Sequence, residues 1–228
     1  MNYKLFAYRD LIFNSPLSEE RADCLIALCH PANRILDLGC GWGELLLRML
    51  EVNPDSHGTG IDSDGVLIER GSDAAIARGF QERVSFICSD ATTASERYDL
   101  VIAMGVTHIW GTVTEALDFL KDHIEPKGKL LLGTGIWTDT TSDELKKVFG
   151  ELPAVEELQN IVIKAGFTIE TTEIASMEEW DAFESQWRGG LEASNDPTLI
   201  AFAAERKEEY EKGYRGILGF CYIVARLE

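Results

Sequence analysis

Along the chain, short unbroken apolar runs alternate with longer stretches in which apolar residues recur every three or four positions. The runs have the pattern of strands buried on both faces, and the longer stretches that of helices with one buried side. Five runs predict parallel strands: Ile35-Leu36-Asp37-Leu38, Gly58 to Asp62, Arg83 to Cys88, Tyr98 to Met104, and Lys129 to Gly133 continuing to Trp137. Helices are predicted from Ser15-Pro16 to about Cys29, after Gly43, after Asp64, after Thr112, and from about Pro153 to Ala165. Ser15 and Pro16 suit an N-cap and a first helical position. Leu45, Leu46, Leu47, Met49 and Leu50 form the apolar side of the second helix, and Val66, Leu67, Ala74, Ala75 and Ile76 that of the third. Thr112-Val113-Thr114-Glu115 has the form of a capping box. A strand from Phe167 to about Ile174, a stretch rich in helix formers over 176–215, and a strand from Ile217 to Ala225 complete the chain. Strands alternating with helices in this way predict an α/β fold around a parallel sheet.

Between the first run and its helix stands Asp37-Leu38-Gly39-Cys40-Gly41-Trp42-Gly43. Glycines there allow backbone angles that other residues avoid and let a ligand lie against the main chain. A dinucleotide fingerprint, G-x-G-x-x-G, would place its third glycine at position 44, where Glu44 stands. The pattern is instead Asp-x-Gly-x-Gly-x-Gly. Together with the ends of the next three strands, it resembles motif I of the class I S-adenosylmethionine (SAM)-dependent methyltransferases. The resemblance covers residues from about 30 to 175 and the last strand. It implies a three-layer α/β sandwich whose mostly parallel seven-stranded sheet has the order 3-2-1-4-5-7-6 with the last strand antiparallel, an N-terminal helix, and a helical insertion before the last strand. The expected organisation is one methyltransferase domain: an N-terminal helical cover over 1–30, a SAM-binding core over 31–175, a helical lid over 176–215 and the final strand over 216–228.

In that family the acidic residue ending the first strand and the glycine loop hold the methionine part and ribose of SAM, which assigns Asp37, Gly39, Cys40, Gly41 and Gly43 to the cofactor. Asp62 lies 19 residues beyond Gly43, close to the spacing at which an open α/β site sets a carboxylate against ribose hydroxyls. Asp62, with Ser63, is expected at the ribose, and Asp64 at the start of the next helix. The resemblance places Asp90 at the adenine amino group and Ala91 as a backbone donor to the ring. Asp37, Asp62 and Asp90 follow successive strands, so all three carboxylates are expected in one crevice. The fourth strand leads to Met104 and Gly105, assigned to the cofactor, and to Thr107, assigned to the acceptor. Imidazole takes up a proton near neutrality, which makes His108 the candidate catalytic base, with backbone hydrogen bonding as the alternative.

The remaining candidates have two readings each. Trp110 fits either a stack on substrate or sulfonium or ordinary packing. Tyr8, with Tyr3 and Phe6, fits either a cover over the SAM site or a terminal arm packed on the core. Trp137 sits at another carboxyl end and is assigned, with Tyr8, Trp187 and Arg188, to the acceptor. Met177, Trp180, Phe183, Glu184 and Trp187 share helical spacing, and Asp196-Pro197 starts a second helix carrying Leu199, Ile200, Phe202 and Ala203. These helices form either a pair packed at the sheet's edge or a lid that excludes water and selects substrates. Arg188, Arg206 and Arg215 either anchor an anionic acceptor or pair with nearby glutamates.

Composition narrows the function. The 228 residues are 45% hydrophobic, enough for a full core. A net charge of −18 repels nucleic acid over most of the surface, so the expected partner is a small-molecule acceptor. The five cysteines contain no C-x-x-C pair, which predicts reduced, buried thiols, no metal site and a cytoplasmic protein. No secretory signature and no apolar stretch of about 18 residues is present, so neither export nor a membrane span is expected. The expected state is a monomer or homodimer. The expected activity is transfer of the SAM methyl group to N, O or C of a small molecule. A non-catalytic SAM-binding or interaction protein, an NAD-dependent oxidoreductase and a nucleic-acid methyltransferase are the alternatives.

Overall fold

The structure, a computed structural model, describes residues 3–228. The first two residues of the expected N-terminal cover lie outside the described residues. In chain order the elements are α1 (Lys4–Ala7), α2 (Glu19–Cys29), β1 (Arg34–Leu38), α3 (Glu44–Val52), β2 (His57–Asp62), α4 (Gly65–Ala77), β3 (Val84–Cys88), β4 (Tyr98–Met104), α5 (Val113–Lys121), β5 (Ile124–Trp137), α6 (Asp143–Phe149), α7 (Val155–Lys164), β6 (Phe167–Ile174), α8 (Met177–Glu192), α9 (Pro197–Glu209) and β7 (Leu218–Leu227). The strands form one seven-stranded sheet in the order β3-β2-β1-β4-β5-β7-β6. β1 pairs in parallel with β2 and β4, β2 with β3, and β4 with β5. β6 and β7 run in opposite directions: Glu228 N–H donates to Gly166 O at 3.3 Å, and Ala175 N–H to Phe220 O at 2.8 Å. This is the expected mixed α/β sheet.

The chain forms two compact units. The core unit comprises Glu19–Thr134, Glu156–Glu173 and Cys221–Glu228; the second comprises the chain up to Ser18 with Gly135–Val155 and Ile174–Phe220. In the core unit, Leu36, Leu38, Leu100, Val101, Ile102, Leu130 and Leu131 are fully buried, as central parallel strands require. Leu46, Leu47 and Leu50 of α3 and Leu117 and Leu120 of α5 bury their apolar sides. Thr112 and Glu115 form the expected capping box, and Asp64 caps α4 by accepting from Val66 N–H at 3.1 Å. Among the described residues no helix is long and apolar enough to cross a membrane.

Several local expectations are corrected. α2 starts at Glu19, not Pro16. Leu17 N–H turns back to Ser15 O at 2.8 Å, and Ser18 donates through N–H and Oγ (3.2 and 2.8 Å) to Glu179, which is 161 residues away. β5 begins at Ile124, not Lys129, and runs through Pro126-Lys127-Gly128 with Lys127 at φ +66° and a register shift opposite Tyr98/Leu100. α4 buries Ile68, Gly71 and Ala75 and leaves Val66 and Ile76 exposed, so its packed face is rotated from the expected one. All five cysteines are free, but only Cys29 and Cys221 are buried; Cys24 and Cys88 are exposed.

In the second unit, Gly190 of α8 meets α1. A Cβ there would lie 1.9 Å from Phe6 O, so glycine permits this contact. Tyr3, Trp187 and Phe202 then pack ring against ring, at centroid distances of 5.9 Å (Tyr3–Trp187), 5.4 Å (Tyr3–Phe202) and 5.8 Å (Trp187–Phe202). The N-terminal arm is thereby attached to α8 and α9.

Candidate functional site

The site grows from the end of β1. Gly39 and Cys40 donate their N–H groups to Ile61 O at 2.8 and 3.1 Å, folding the chain across the end of β2, and Gly43 N–H closes the turn onto Cys40 O at 2.8 Å. Gly39, Gly41 and Gly43 have φ of +65°, +57° and +66°. Their surroundings differ. A Cβ on Gly39 would lie 2.3 Å from Val106 Cγ1, whereas one on Gly41 meets nothing within 4 Å. Gly39 is a packing contact and Gly41 an open cradle. A Cβ on Gly43 would strike the Phe86 ring at 2.3 Å, which gives this glycine a packing role as well. Trp42, between them, is buried with Arg70 over its ring at 4.1 Å.

The carboxylates lie at adjacent strand ends. Asp37 pairs in register with Gly60 of β2 and Ile102 of β4, and it is only 4% exposed. Burial, and then the nearby charge of Asp62, push its carboxyl well above the usual range. Asp62 ends β2. Its Oδ2 accepts Gly41 N–H and its Oδ1 accepts Asp64 N–H, both at 2.8 Å, so the side chain is fixed. A carboxylate oxygen has two lone pairs, and each of these keeps one. Ser63 is exposed at the tip of the turn; its carbonyl lies 3.7 Å from Cys88 Sγ. Burial, with Asp37 and Asp62 nearby, raises the pKa of the Cys40 thiol and keeps it inert.

Asp90 follows β3 and caps a single 3-10 turn, Ala91–Thr93. Its Oδ1 accepts from Thr92 N–H at 2.8 Å and Thr92 Oγ1 at 2.7 Å, and these bonds hold its carboxyl below the usual range. Asp90 is exposed and Ala91 buried. The ends of β3, β2, β1 and β4 are neighbours, and the strand order reverses between β1 and β4. That is where open α/β sheets bind ligands.

At the end of β4, Met104 is partly exposed, and Gly105 N–H donates to Gly133 O at 2.8 Å. Thr107 is buried and shares a 3.0 Å hydrogen bond with Thr134, a partner invisible in the sequence. His108 lies in the 3-10 turn Thr107–Trp110, is exposed, and its imidazole makes no hydrogen bond among the described residues. The Trp110 ring packs on Phe119 of α5 at 5.0 Å, the packing reading of that residue, and its indole N–H has no hydrogen-bond partner among the described residues.

The other four candidates belong to the second unit. Tyr8 hydrogen-bonds Asn14, and burial raises its pKa. Trp137 packs against Phe149 at 6.3 Å. Trp187 lies under Arg206, whose guanidinium is 3.9 Å from the ring centroid. Arg188 is 9% exposed and approaches Glu184 at 3.6 Å without forming a hydrogen bond. Arg206 and Arg215 are instead engaged by Glu184 and Asp181, the pairing reading for both. Trp180, read from the sequence as part of the helix pair or lid, is buried, and its indole N–H has no hydrogen-bond partner among the described residues.

Comparison with known proteins agrees with this geometry. Residues 36–130 match the family model described as "Methyltransferase domain". The chain is 30% identical over 210 residues to the uncharacterised protein YjhP of Escherichia coli (strain K12), covering 86% of this chain and 83% of that one. It is 28% identical over 173 residues to methyltransferase ungE' of Aspergillus campestris, covering 71% of this chain and 49% of that one. A solved structure of a SAM-dependent methyltransferase from Thiobacillus denitrificans, in complex with S-adenosyl-L-homocysteine, superposes with a TM-score of 0.88 at 24% identity, covering 100% of this chain and 99% of that one. The glycine loop, the fixed carboxylates at the switch point, the strand order and these similarities together place the chain in the SAM-dependent methyltransferase family.

Proposed function

We propose that this chain binds SAM at the β1–β4 end of the core unit and methylates a nucleophilic atom of a small molecule, without nucleic acid, as a monomer or homodimer. The observation that carries the reading is Asp62. It is held by two backbone N–H groups beside the one loop glycine that faces open space, with a lone pair left on each oxygen for a pair of vicinal hydroxyls. Gly41 lets the ligand approach the main chain, Asp37 stands at the end of β1, and Asp90 keeps Oδ2 free of hydrogen bonds among the described residues. When bound, SAM supplies an already activated methyl group. The work left to the chain is to hold the acceptor in line and to exclude water. His108 is the base for acceptors that must lose a proton, and Thr107 positions the acceptor. Residues 176–215 contribute to acceptor selection.

Calorimetric titration with SAM, S-adenosylhomocysteine and NADH, repeated on Asp62→Ala, tests the reading. Micromolar binding of the first two, lost in the variant, supports it. NADH binding without theirs would overturn it in favour of an oxidoreductase. With an acceptor in hand, His108→Ala is expected to slow turnover by about 10²–10⁴-fold while leaving S-adenosylhomocysteine affinity unchanged.

A further inference from the structure

The glycine loop carries one large side chain, Trp42, between Gly41 and Gly43. Those glycines have φ of +57° and +66°, a backbone that glycine enters and leaves easily. A residue flanked in this way needs an anchor to keep one conformation. Its ring supplies one: Trp42 is 5% exposed, and the Arg70 guanidinium lies 4.1 Å from the ring centroid. A cation that close to the face of an indole is attracted by the ring's electrons, most strongly where water is excluded.

Arg70 belongs to α4, and α4 grips the loop at two further points. A Cβ on Gly71 would lie 2.9 Å from Trp42 O and 3.2 Å from the Phe86 ring, so the helix presses directly on the loop backbone. Arg78 Nη2 donates to Glu44 Oε2 at 2.6 Å, and Glu44 immediately follows Gly43. The same helix begins beside Asp62: its N-cap, Asp64, donates N–H to Asp62 Oδ1 at 2.8 Å. The loop in turn donates Gly41 N–H to Asp62 Oδ2 at 2.8 Å. A closed circuit therefore runs from Asp62 along α4 to Arg70, across to the Trp42 ring, and back through Gly41 to Asp62, all within the core unit. Both peptides that fix the carboxylate depend on α4, so the hold on Trp42 decides where the remaining lone pairs of Asp62 point.

We infer that Arg70 and Trp42 are positioning residues for the ribose carboxylate: the cation on the ring holds the Gly41 peptide, and through it Asp62, in the geometry that accepts two vicinal hydroxyls. The inference rests on the assignment of Asp62 to the ribose and names the side chains that pre-organise that acceptor. Loss of the brace is felt at the ribose hydroxyls, not uniformly over the cofactor.

S-adenosylhomocysteine and its 2′,3′-dideoxy analogue are the probes, titrated calorimetrically into wild-type protein, Asp62→Ala, Arg70→Met, Arg70→Lys and Gly71→Ala, while exchange of the Gly41 amide hydrogen is followed by NMR in the free proteins. Wild-type protein is expected to prefer the hydroxylated compound about 10–100-fold, the worth of hydrogen bonds to a charged group. Asp62→Ala should lose that preference. Arg70→Met should narrow it about 3–10-fold and speed Gly41 exchange, while Arg70→Lys, which keeps the cation, narrows it less. Gly71→Ala, whose methyl pushes on Trp42 O from a helix interior that suits alanine, should narrow it without loss of helix. A role in stability alone would lower the melting temperature and leave the preference unchanged. Wild-type preference or wild-type Gly41 exchange in Arg70→Met, or a loss as large in Arg70→Lys as in Arg70→Met, would overturn the brace alone if Asp62→Ala has lost the preference. Should Arg70→Met fail to fold, wild-type preference in Gly71→Ala would overturn it as well. Wild-type preference in Asp62→Ala would strike the assignment of Asp62 to the ribose, and this inference with it.

Discussion

Substituting alanine separately at Gly39 and Gly41 separates packing from binding within three residues of chain. Both positions have φ near +60°, a conformation that costs a non-glycine residue about 1–2 kcal/mol. At Gly39 the new methyl would lie 2.3 Å from Val106 Cγ1 and 3.2 Å from its Cβ. Val106 is buried and β-branched, so it cannot swing aside, and overpacking of this kind adds about 1–3 kcal/mol. The lower entropy of the unfolded alanine chain returns about 0.4–1 kcal/mol in both variants. Gly39→Ala should therefore lose about 1–4.5 kcal/mol and Gly41→Ala about 0–1.5 kcal/mol, the difference being the overpacking of about 1–3 kcal/mol. For a chain of this length each kcal/mol moves the melting temperature by about 2–4 °C, so the gap between the variants is readily measured. Affinity should follow the opposite order. Gly41→Ala puts a methyl into the open cradle and should weaken S-adenosylhomocysteine at least 10-fold in calorimetry, while folded Gly39→Ala retains more of it. Gly41→Ala that binds like wild type, or that melts below Gly39→Ala, would refute the assignment of the two glycines.

Three further outcomes are expected. Burial raises the Asp37 pKa, so the folded state holds this proton more tightly than the unfolded one, whose Asp titrates near 3.9. Stability from this group is present below about pH 4 and declines as pH rises toward the raised folded value. Asp37→Asn should therefore raise the melting temperature at pH 7, by the equivalent of about 1–3 kcal/mol, while weakening SAM; a variant less stable than wild type at pH 7 but equal to it at pH 4 would contradict the sign. Glu184→Gln removes the carboxylate holding Arg206 and should cost about 3–5 kcal/mol in urea unfolding, the usual loss when half of a buried pair is removed; wild-type stability would show that the cluster does not hold the second unit together. A thiol reagent should titrate two cysteines rapidly, the exposed Cys24 and Cys88, and reach Cys29 and Cys221 only on unfolding, since burial pushes those thiols up to about 12 and about 11; a rapid phase of four or five equivalents would contradict the burial.

The parts of this structure legible in the sequence are those decided by neighbours in the chain. The Thr112–Glu115 capping box and the Asp64 cap are each closed by groups within a few residues, the glycine loop is marked by its own spacing although Ile61 and Asp62 anchor it, and short apolar runs announce buried parallel strands directly. What escaped depends on distant partners. The delayed start of α2 reflects Ser18 bonding to Glu179, and Thr107 is held by Thr134 on the next strand. α6 buries no residue at all, so no apolar periodicity marks it. Arg188, Arg206 and Arg215 look equivalent as sequence; only the fold shows that Glu184 and Asp181 occupy the second and third. Trp180 and Trp187 look alike for the same reason, although it is Trp187 that lies under the Arg206 guanidinium.

Gly190 admits Phe6 against α8, and with it the first residues of the chain into the body of helices that begins some 170 residues later. The unit that carries Arg188 is accordingly a discontinuous module, stitched from three separated lengths of chain. Exchange of this unit by recombination would then need a coordinated transfer of all three, the N-terminal arm included; a graft of α8 and α9 alone would leave their aromatic face without Tyr3. Single substitutions, by contrast, leave all three lengths in place.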